Sequence, residues 1–283
     1  MSTNILSGRE QALSTPSMSS DTGAHRTRPL FRLNAFAIAT CCLAIPGVVI
    51  AMVSLESSPV IALLVSAVLC GWSEVNGLCG ASHVCTLSPM RTTYGGSVWF
   101  SAVGAYTVAG IVTASGSGLL LGLAGTLIDL DHATVFFAIV GLAIVLTARE
   151  LNWLRFSLPQ LRRQTNRMWA FEFGPVTAAA MWGAHIGIGF ATVIRHGGFL
   201  VLVALSLVLG SKYGAAYGAA LMAMYWLGRT LPIWVAPLFT DDHARGDVLA
   251  ELVMRPERVY RWIAAAGLLC AAAVAATLAM RAS

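Results

Sequence analysis

From about residue 34 onward the chain is built of long apolar runs separated by short polar connections. The runs cover roughly 34–54, 60–78, 97–127, 133–148, 173–194, 199–210, 215–239 and 262–280, and a bilayer-crossing helix needs about 20 apolar residues. This pattern predicts an all-α polytopic membrane protein with about eight transmembrane helices, seven being the alternative count. The run at 97–127 is too long for one upright helix, and Gly110, Gly116, Gly118, Gly122 and Gly125 are expected to let it bend or tilt. The run at 199–210 is short for a full span. Residues 1–33, rich in Ser, Thr, Gly, Arg and Pro without apolar periodicity, read as a disordered cytoplasmic tail and not as a signal peptide. Residues 34–283 read as one integral membrane domain.

Two stretches interrupt this pattern at matching places. Gly80 to Gly96 is rich in small residues and broken by Gly and Pro, and Gly183-Ala184-His185-Ile186 with His196-Gly197-Gly198 echoes it. His83 stands twelve residues before Gly95, and His185 twelve before Gly197, so Tyr94 pairs with His196. Backbone polar groups cannot be left unpaired in hydrocarbon, so broken helices in corresponding positions mark a functional centre between two halves. The halves are expected at about 60–148 and 173–239, three spans each, entering from opposite faces as an inverted-topology internal repeat.

Composition sharpens the class. Hydrophobic residues make up 57% and charged residues 11% of the 283 positions, with a mean hydropathy of +0.73. About a quarter charged is usual for a soluble domain. The net charge of +5 comes from arginines in connecting segments, which read as topogenic signals and not as a nucleic-acid surface. Arg26, Arg28 and Arg32, then Arg149, Arg155, Arg162, Arg163 and Arg167, place the N-terminus and the 149–168 connection in the cytoplasm. Eight spans then put the 240–261 connection outside, with a short interfacial helix near 248–254, and the end after Arg281 inside.

Several residues are candidates for chemistry. Cys79 and Cys85, six apart, would form a disulfide if the chain reverses at Gly80; they would otherwise act as separate thiols, or as small buried residues. His83 and His185, at equivalent repeat positions, suit proton or metal binding, or a hydrogen-bonded structural role. Glu74 lies within the second run, where a carboxylate needs a partner, and Arg91, Arg195 and Arg229 are the cations within range of the pattern. Glu172 is expected at the interface. His196, with Glu74, His83, Arg91 and His185, completes a candidate transport or docking set. Gly214 and Gly218 suggest a small-residue packing face, and Trp99, Trp169, Trp226, Trp234 and Trp262 suggest interface anchors. No phosphate-cradling loop, zinc-finger spacing or catalytic triad order appears, so neither an enzyme nor a cofactor is expected.

Cys85 to Pro89, Trp182-Gly183, Tyr213, Tyr217, Leu227-Gly228 and Leu231-Pro232 resemble the CcdA and DsbD type of membrane electron carrier. That resemblance implies an inverted repeat with one reactive cysteine per half, passing reducing equivalents to a periplasmic thioredoxin-like protein. The second half here has His185 and Gly187 and no cysteine near the motif. Taken over about 30–283, the chain resembles the MauF family of methylamine-utilisation proteins, in Gly71-Trp72-Ser73-Glu74-Val75-Asn76-Gly77-Leu78-Cys79-Gly80 and Leu87-Ser88-Pro89-Met90-Arg91. The resemblance implies a bacterial inner-membrane accessory protein needed to produce active periplasmic methylamine dehydrogenase. Its implied partners are the lipid bilayer and other methylamine-utilisation accessory proteins. A thiol-disulfide electron carrier and a small-solute or metal-ion transporter are the alternative functions.

Overall fold

Each apolar run that the computed structural model describes folds as helix, and the described residues, 27–128, 131–159, 168–190, 193–238 and 253–282, contain no strand. The elements are α1 (Thr27–Ser57), α2 (Pro59–Ser73) with a one-turn 3-10 extension (Glu74–Asn76), α3 (Leu78–Leu87), α4 (Met90–Thr93), α5 (Gly96–Thr126) and α6 (His132–Glu150). After the basic connection come α7 (Trp169–Phe173), α8 (Pro175–Gly187), α9 (Gly198–Tyr213), α10 (Ala216–Val235) with a 3-10 turn (Ala236–Leu238), and α11 (Glu257–Met280). Among the described residues four helices are long and apolar enough to cross a membrane: Pro59–Asn76, Gly96–Thr126, His132–Glu150 and Glu257–Met280. Residues 1–26 lie outside the described set, and helix already begins at Thr27, inside the stretch expected to be disordered to residue 33.

The long third run is a single helix. α5 has 31 residues, about 46 Å at 1.5 Å per residue, and Gly110, Gly118, Gly122 and Gly125 serve close packing in place of the expected bending, while Gly116 faces open space. A Cβ on Gly118 would lie 2.2 Å from the Gly218 carbonyl oxygen, and one on Gly125 would lie 1.9 Å from that of Leu207. Side chains of almost any size would force these backbones apart. Gly218 thus does belong to a packing face. Gly214 does not: it turns the chain between α9 and α10 at φ 101° with open space around it, a conformation that suits Gly and few other residues. Trp226 is not an interface anchor either. It is 1% exposed, fits over Gly110, and donates from Nε1 to the Thr107 carbonyl at 3.0 Å.

Both predicted helix breaks are present. α3 stops at Leu87, the chain kinks through Ser88-Pro89, and α5 starts after Gly95 as its N-cap. α8 stops at Gly187, and α9 starts after Gly197 as its N-cap. The twelve-residue interval seen from each histidine therefore ends on a helix N-cap in both halves. The run at 173–194 is correspondingly no continuous span: Gly174, at φ 78°, separates α7 from the 13-residue α8, and 193–195 are not helical.

One expected placement fails. Arg261 donates to the carbonyl oxygens of Glu150 at 2.7 Å and Arg149 at 2.8 Å. The end of the 240–261 connection, expected outside, therefore touches the start of the 149–168 connection, expected inside. The two therefore share one end of the bundle. The opposite end is marked by a cavity that Pro59, Tyr213, Tyr217, Leu278 and Arg281 help to line, so α11 runs away from the arginine-rich end and Arg281 is not on that side. Residues 239–252, with most of the proposed interfacial helix at 248–254, lie outside the described set.

Candidate functional site

α2 and α6 both end in an acid at the same end of the bundle, and both acids are buried. A carboxylate at a helix C-terminus opposes the helix dipole, and one buried in an apolar bundle is costly without partners. Glu74 is 1% exposed and Glu150 2%. Their partners are the segment that leads into α9. Glu74 Oε2 accepts the Arg195 N–H at 3.1 Å and Oε1 accepts the His196 N–H at 2.9 Å. Glu150 Oε1 accepts the Gly197 N–H at 3.2 Å, and Oε2 lies 2.7 Å from His196 Nδ1. Three successive amides outside regular helix are thereby satisfied by two carboxylates, which also bring negative charge to the N-terminus of α9, where it is favoured.

Arginines complete this clamp. Arg149 reaches Glu150 Oε1 at 2.6 Å and the Arg195 carbonyl at 3.1 Å from the same Nη1. The Arg195 guanidinium turns away from Glu74, to the Asn76 carbonyl at 3.1 Å and Glu257 at 2.9 Å. Asn76 in turn donates to the Val253 carbonyl at 3.2 Å, which ties the 3-10 turn after α2 to the chain before α11. Arg261 covers the last carbonyls of α6, which have no partner within that helix. The ends of α2, α6, α9 and α11 are joined by this one network.

His196 is 1% exposed. Its Nδ1–H donates to Glu150, so in the neutral ring Nε2 is an acceptor, and that atom has no hydrogen-bond partner among the described residues.

The remaining candidates are distributed elsewhere. His83 is buried, with its ring centroid 5.4 Å from Tyr106 and 5.8 Å from Trp182, while His185 packs edge-on to Trp169 at 6.3 Å; the two rings have different surroundings. Arg91 is exposed on α4 and Glu172 on α7. Arg229 is buried in α10. Cys85 is half-buried in α3, and the side chain of Cys79 lies outside the described set. α3 runs unbroken through Gly80, so the reversal that a Cys79–Cys85 disulfide requires is absent. Six residues of helix separate the two α-carbons by about 10 Å, beyond the roughly 7 Å limit for a bridge. No group of three or more His, Cys, Asp and Glu able to hold a metal occurs among the described residues.

Of the sequence candidates, the clamp unites Glu74, His196 and Arg195. Glu150, Arg149, Asn76, Glu257 and Arg261 were not singled out. One signal for Glu150 was present: it is the sole acid of the arginine-rich 149–168 stretch and directly follows an apolar run, where a helix C-terminus disfavours it.

Comparison with known proteins gives two relatives, both named methylamine utilization protein MauF. The chain is 29% identical to the one from Paracoccus versutus over 191 residues, 65% of this chain and 66% of that protein. It is 27% identical to the one from Paracoccus denitrificans over 192 residues, 64% of each. The matched region is therefore less than two thirds of either relative's length. No family model matches the chain, and no solved structure does.

Proposed function

We propose that this chain is a multi-pass protein of the bacterial inner membrane that acts as an accessory factor of methylamine utilisation, needed to produce active periplasmic methylamine dehydrogenase. The observation that carries this reading is the similarity to two MauF proteins across about 65% of the chain. The four apolar helices support the membrane location. So do the large apolar side chains turned outward along α5 and α6, such as Val108, Val112, Leu120 and Ile144, each more than half exposed, a surface that suits lipid and not water. Disrupting the gene in its host is expected to abolish growth on methylamine as nitrogen source and leave growth on ammonium intact. Undiminished growth of the disrupted strain on methylamine would overturn the proposal.

The topology that fits this reading has seven crossings, α1, α2, α5, α6, α9, α10 and α11, with the N-terminus in the cytoplasm. The segments around α3–α4 and α7–α8 then leave and return at the cytoplasmic face. What supports it is the contact of Arg261 with the end of α6, which puts Arg149 and Arg261 on one side, as the positive-inside rule requires. The last three crossings before the 149–168 connection (α2, α5 and α6) and the three after it (α9, α10 and α11) then enter from opposite faces.

A thiol-disulfide carrier is the less favoured mechanism because of the unbroken α3. The double substitution Cys79→Ser, Cys85→Ser is accordingly expected to leave dehydrogenase production at the wild-type level, measured as periplasmic activity per unit of dehydrogenase protein. A loss of more than about tenfold would return the thiols to the centre of the mechanism.

A further inference from the structure

Beside the clamp, on its outer side, a cavity of about 230 Å³ is lined by Glu150, Leu151, Asn152, Trp153, Arg258, Arg261 and Trp262. Its shape follows from two local features. Arg258, Arg261 and Trp262 are spaced i, i+3, i+4 on α11 and so share one face. Asn152, at φ 65°, turns the chain sharply after α6, and the Trp153 and Leu154 amides fold back on the Ala148 carbonyl at 2.9 and 3.2 Å. Trp153, just after that turn, and Trp262 both line the cavity, and both residues are largely exposed, at 77% and 66%.

The charges around the cavity do not cancel. The Glu150 carboxylate is 1% exposed and turned inward to Arg149, His196 and the Gly197 amide. Glu257 lies 2.9 Å from Arg195, against 3.9 Å from Arg261. Arg149 and Arg195 thus match the two acids. Arg261 directs Nε and Nη2 to neutral carbonyls, and Arg258 is exposed and makes no ion pair among the described residues. With Glu74 counted as the third carboxylate of the clamp, four arginines exceed three acids by one positive charge, and that charge lies at Arg258 and Arg261, flanked by two exposed tryptophans. Apolar surface continues from the rim along the same helices: Ile144 and Val145 on α6 and Leu269 on α11 are 54%, 45% and 51% exposed.

We infer that this cavity binds the headgroup of an anionic phospholipid, with the phosphate at Arg258 and Arg261 and the acyl chains along α6 and α11. Basic pockets between helices on the cytoplasmic side recognise anionic headgroups, and tryptophans gather at that depth of the bilayer. Arg258, with no ion pair among the described residues, and Arg261, whose Glu257 contact is 3.9 Å long, select an anionic over a zwitterionic lipid, while the apolar surface below selects a lipid over a free phosphate. The inference rests on the helices crossing a bilayer and is independent of the methylamine role.

The test is a native mass spectrometry titration of the full-length, detergent-solubilised protein with dioleoyl phosphatidylglycerol and, separately, with dioleoyl phosphatidylcholine. The first phosphatidylglycerol is expected to bind at least about fivefold more tightly, as one effective charge contact provides. Arg258→Gln removes no contact of the clamp and is expected to abolish this preference. Trp153→Ala is expected to reduce it. Arg281→Gln, at the opposite end, is expected to leave it unchanged. Equal affinity for the two lipids, a preference that survives Arg258→Gln, or equal protection of the protein by inorganic phosphate alone would each overturn the site.

Discussion

Glu150→Ala is expected to lower the unfolding free energy of the detergent-solubilised protein by about 3–5 kcal/mol, the usual loss when one member of a buried charged network is removed. The size follows from what is left behind. Arg149 loses its 2.6 Å partner, His196 Nδ1 loses its acceptor at 2.7 Å, and the Gly197 amide becomes a buried donor without a partner. An unsatisfied buried amide alone costs about 1–3 kcal/mol. Glu257→Ala supplies the contrast: that acid is 47% exposed on its side chain, and ion pairs at such positions contribute about 0–1 kcal/mol. Unfolding of the two variants, followed by loss of helical circular dichroism, compares them directly. Equal destabilisation would mean that the clamp does not hold α9 to α2 and α6.

Gly118→Leu is expected to prevent assembly of the bundle, with accumulation in membranes reduced at least about tenfold. The space is absent: the Gly218 carbonyl oxygen lies 2.2 Å from where a Cβ would stand, its carbon 2.7 Å, and Met222 Cβ 2.9 Å. Two of these three atoms are backbone, so relief requires α5 and α10 to separate along a stretch where both rely on close approach. Overpacking in a rigid core costs about 1–3 kcal/mol for one or two methylenes, and four added carbons against backbone exceed that range. Gly116→Leu, two residues away with nothing within 4 Å of its Cβ position, is the control and should accumulate like wild type. Equal levels of the two variants would show that α5 and α10 are not in this register.

The helices were legible in the sequence because apolar length and Gly or Pro interruptions are local properties. α3 and α8 both stop within a few residues of the histidines that mark them, and Gly95 and Gly197 both cap the following helix. Faces and crossings were less legible. An 18-residue apolar window looks the same whether the chain crosses or returns, so 173–194 read as a span although α8 has 13 residues and stops at Gly187. Counting that run as a span puts Arg261 opposite the 149–168 connection, whereas Arg261 touches the Arg149 and Glu150 carbonyls at its start. Glycines on α5 suggested bends, because sequence shows that a Cβ is missing without showing what fills its place.

The site was half legible. Glu74 stood out because a carboxylate inside an apolar run demands a partner, but the expected partner was a cation. What it binds is backbone: the amides of Arg195 and His196, 121 and 122 residues away. Backbone donors are common to nearly all residues and carry no mark in a sequence. Glu150 stayed hidden for the opposite reason, since a single acid among arginines reads as part of a solvated connection.

The most direct measurement places this chain in a methylamine-growing bacterium deleted for its own MauF protein and assays periplasmic methylamine dehydrogenase activity. Wild-type chain is expected to restore activity and growth on methylamine, and Glu150→Ala to restore little of either. If the wild-type chain accumulates in the inner membrane at full length while dehydrogenase activity stays at the level of the deletion strain, the proposed role in methylamine utilisation is contradicted.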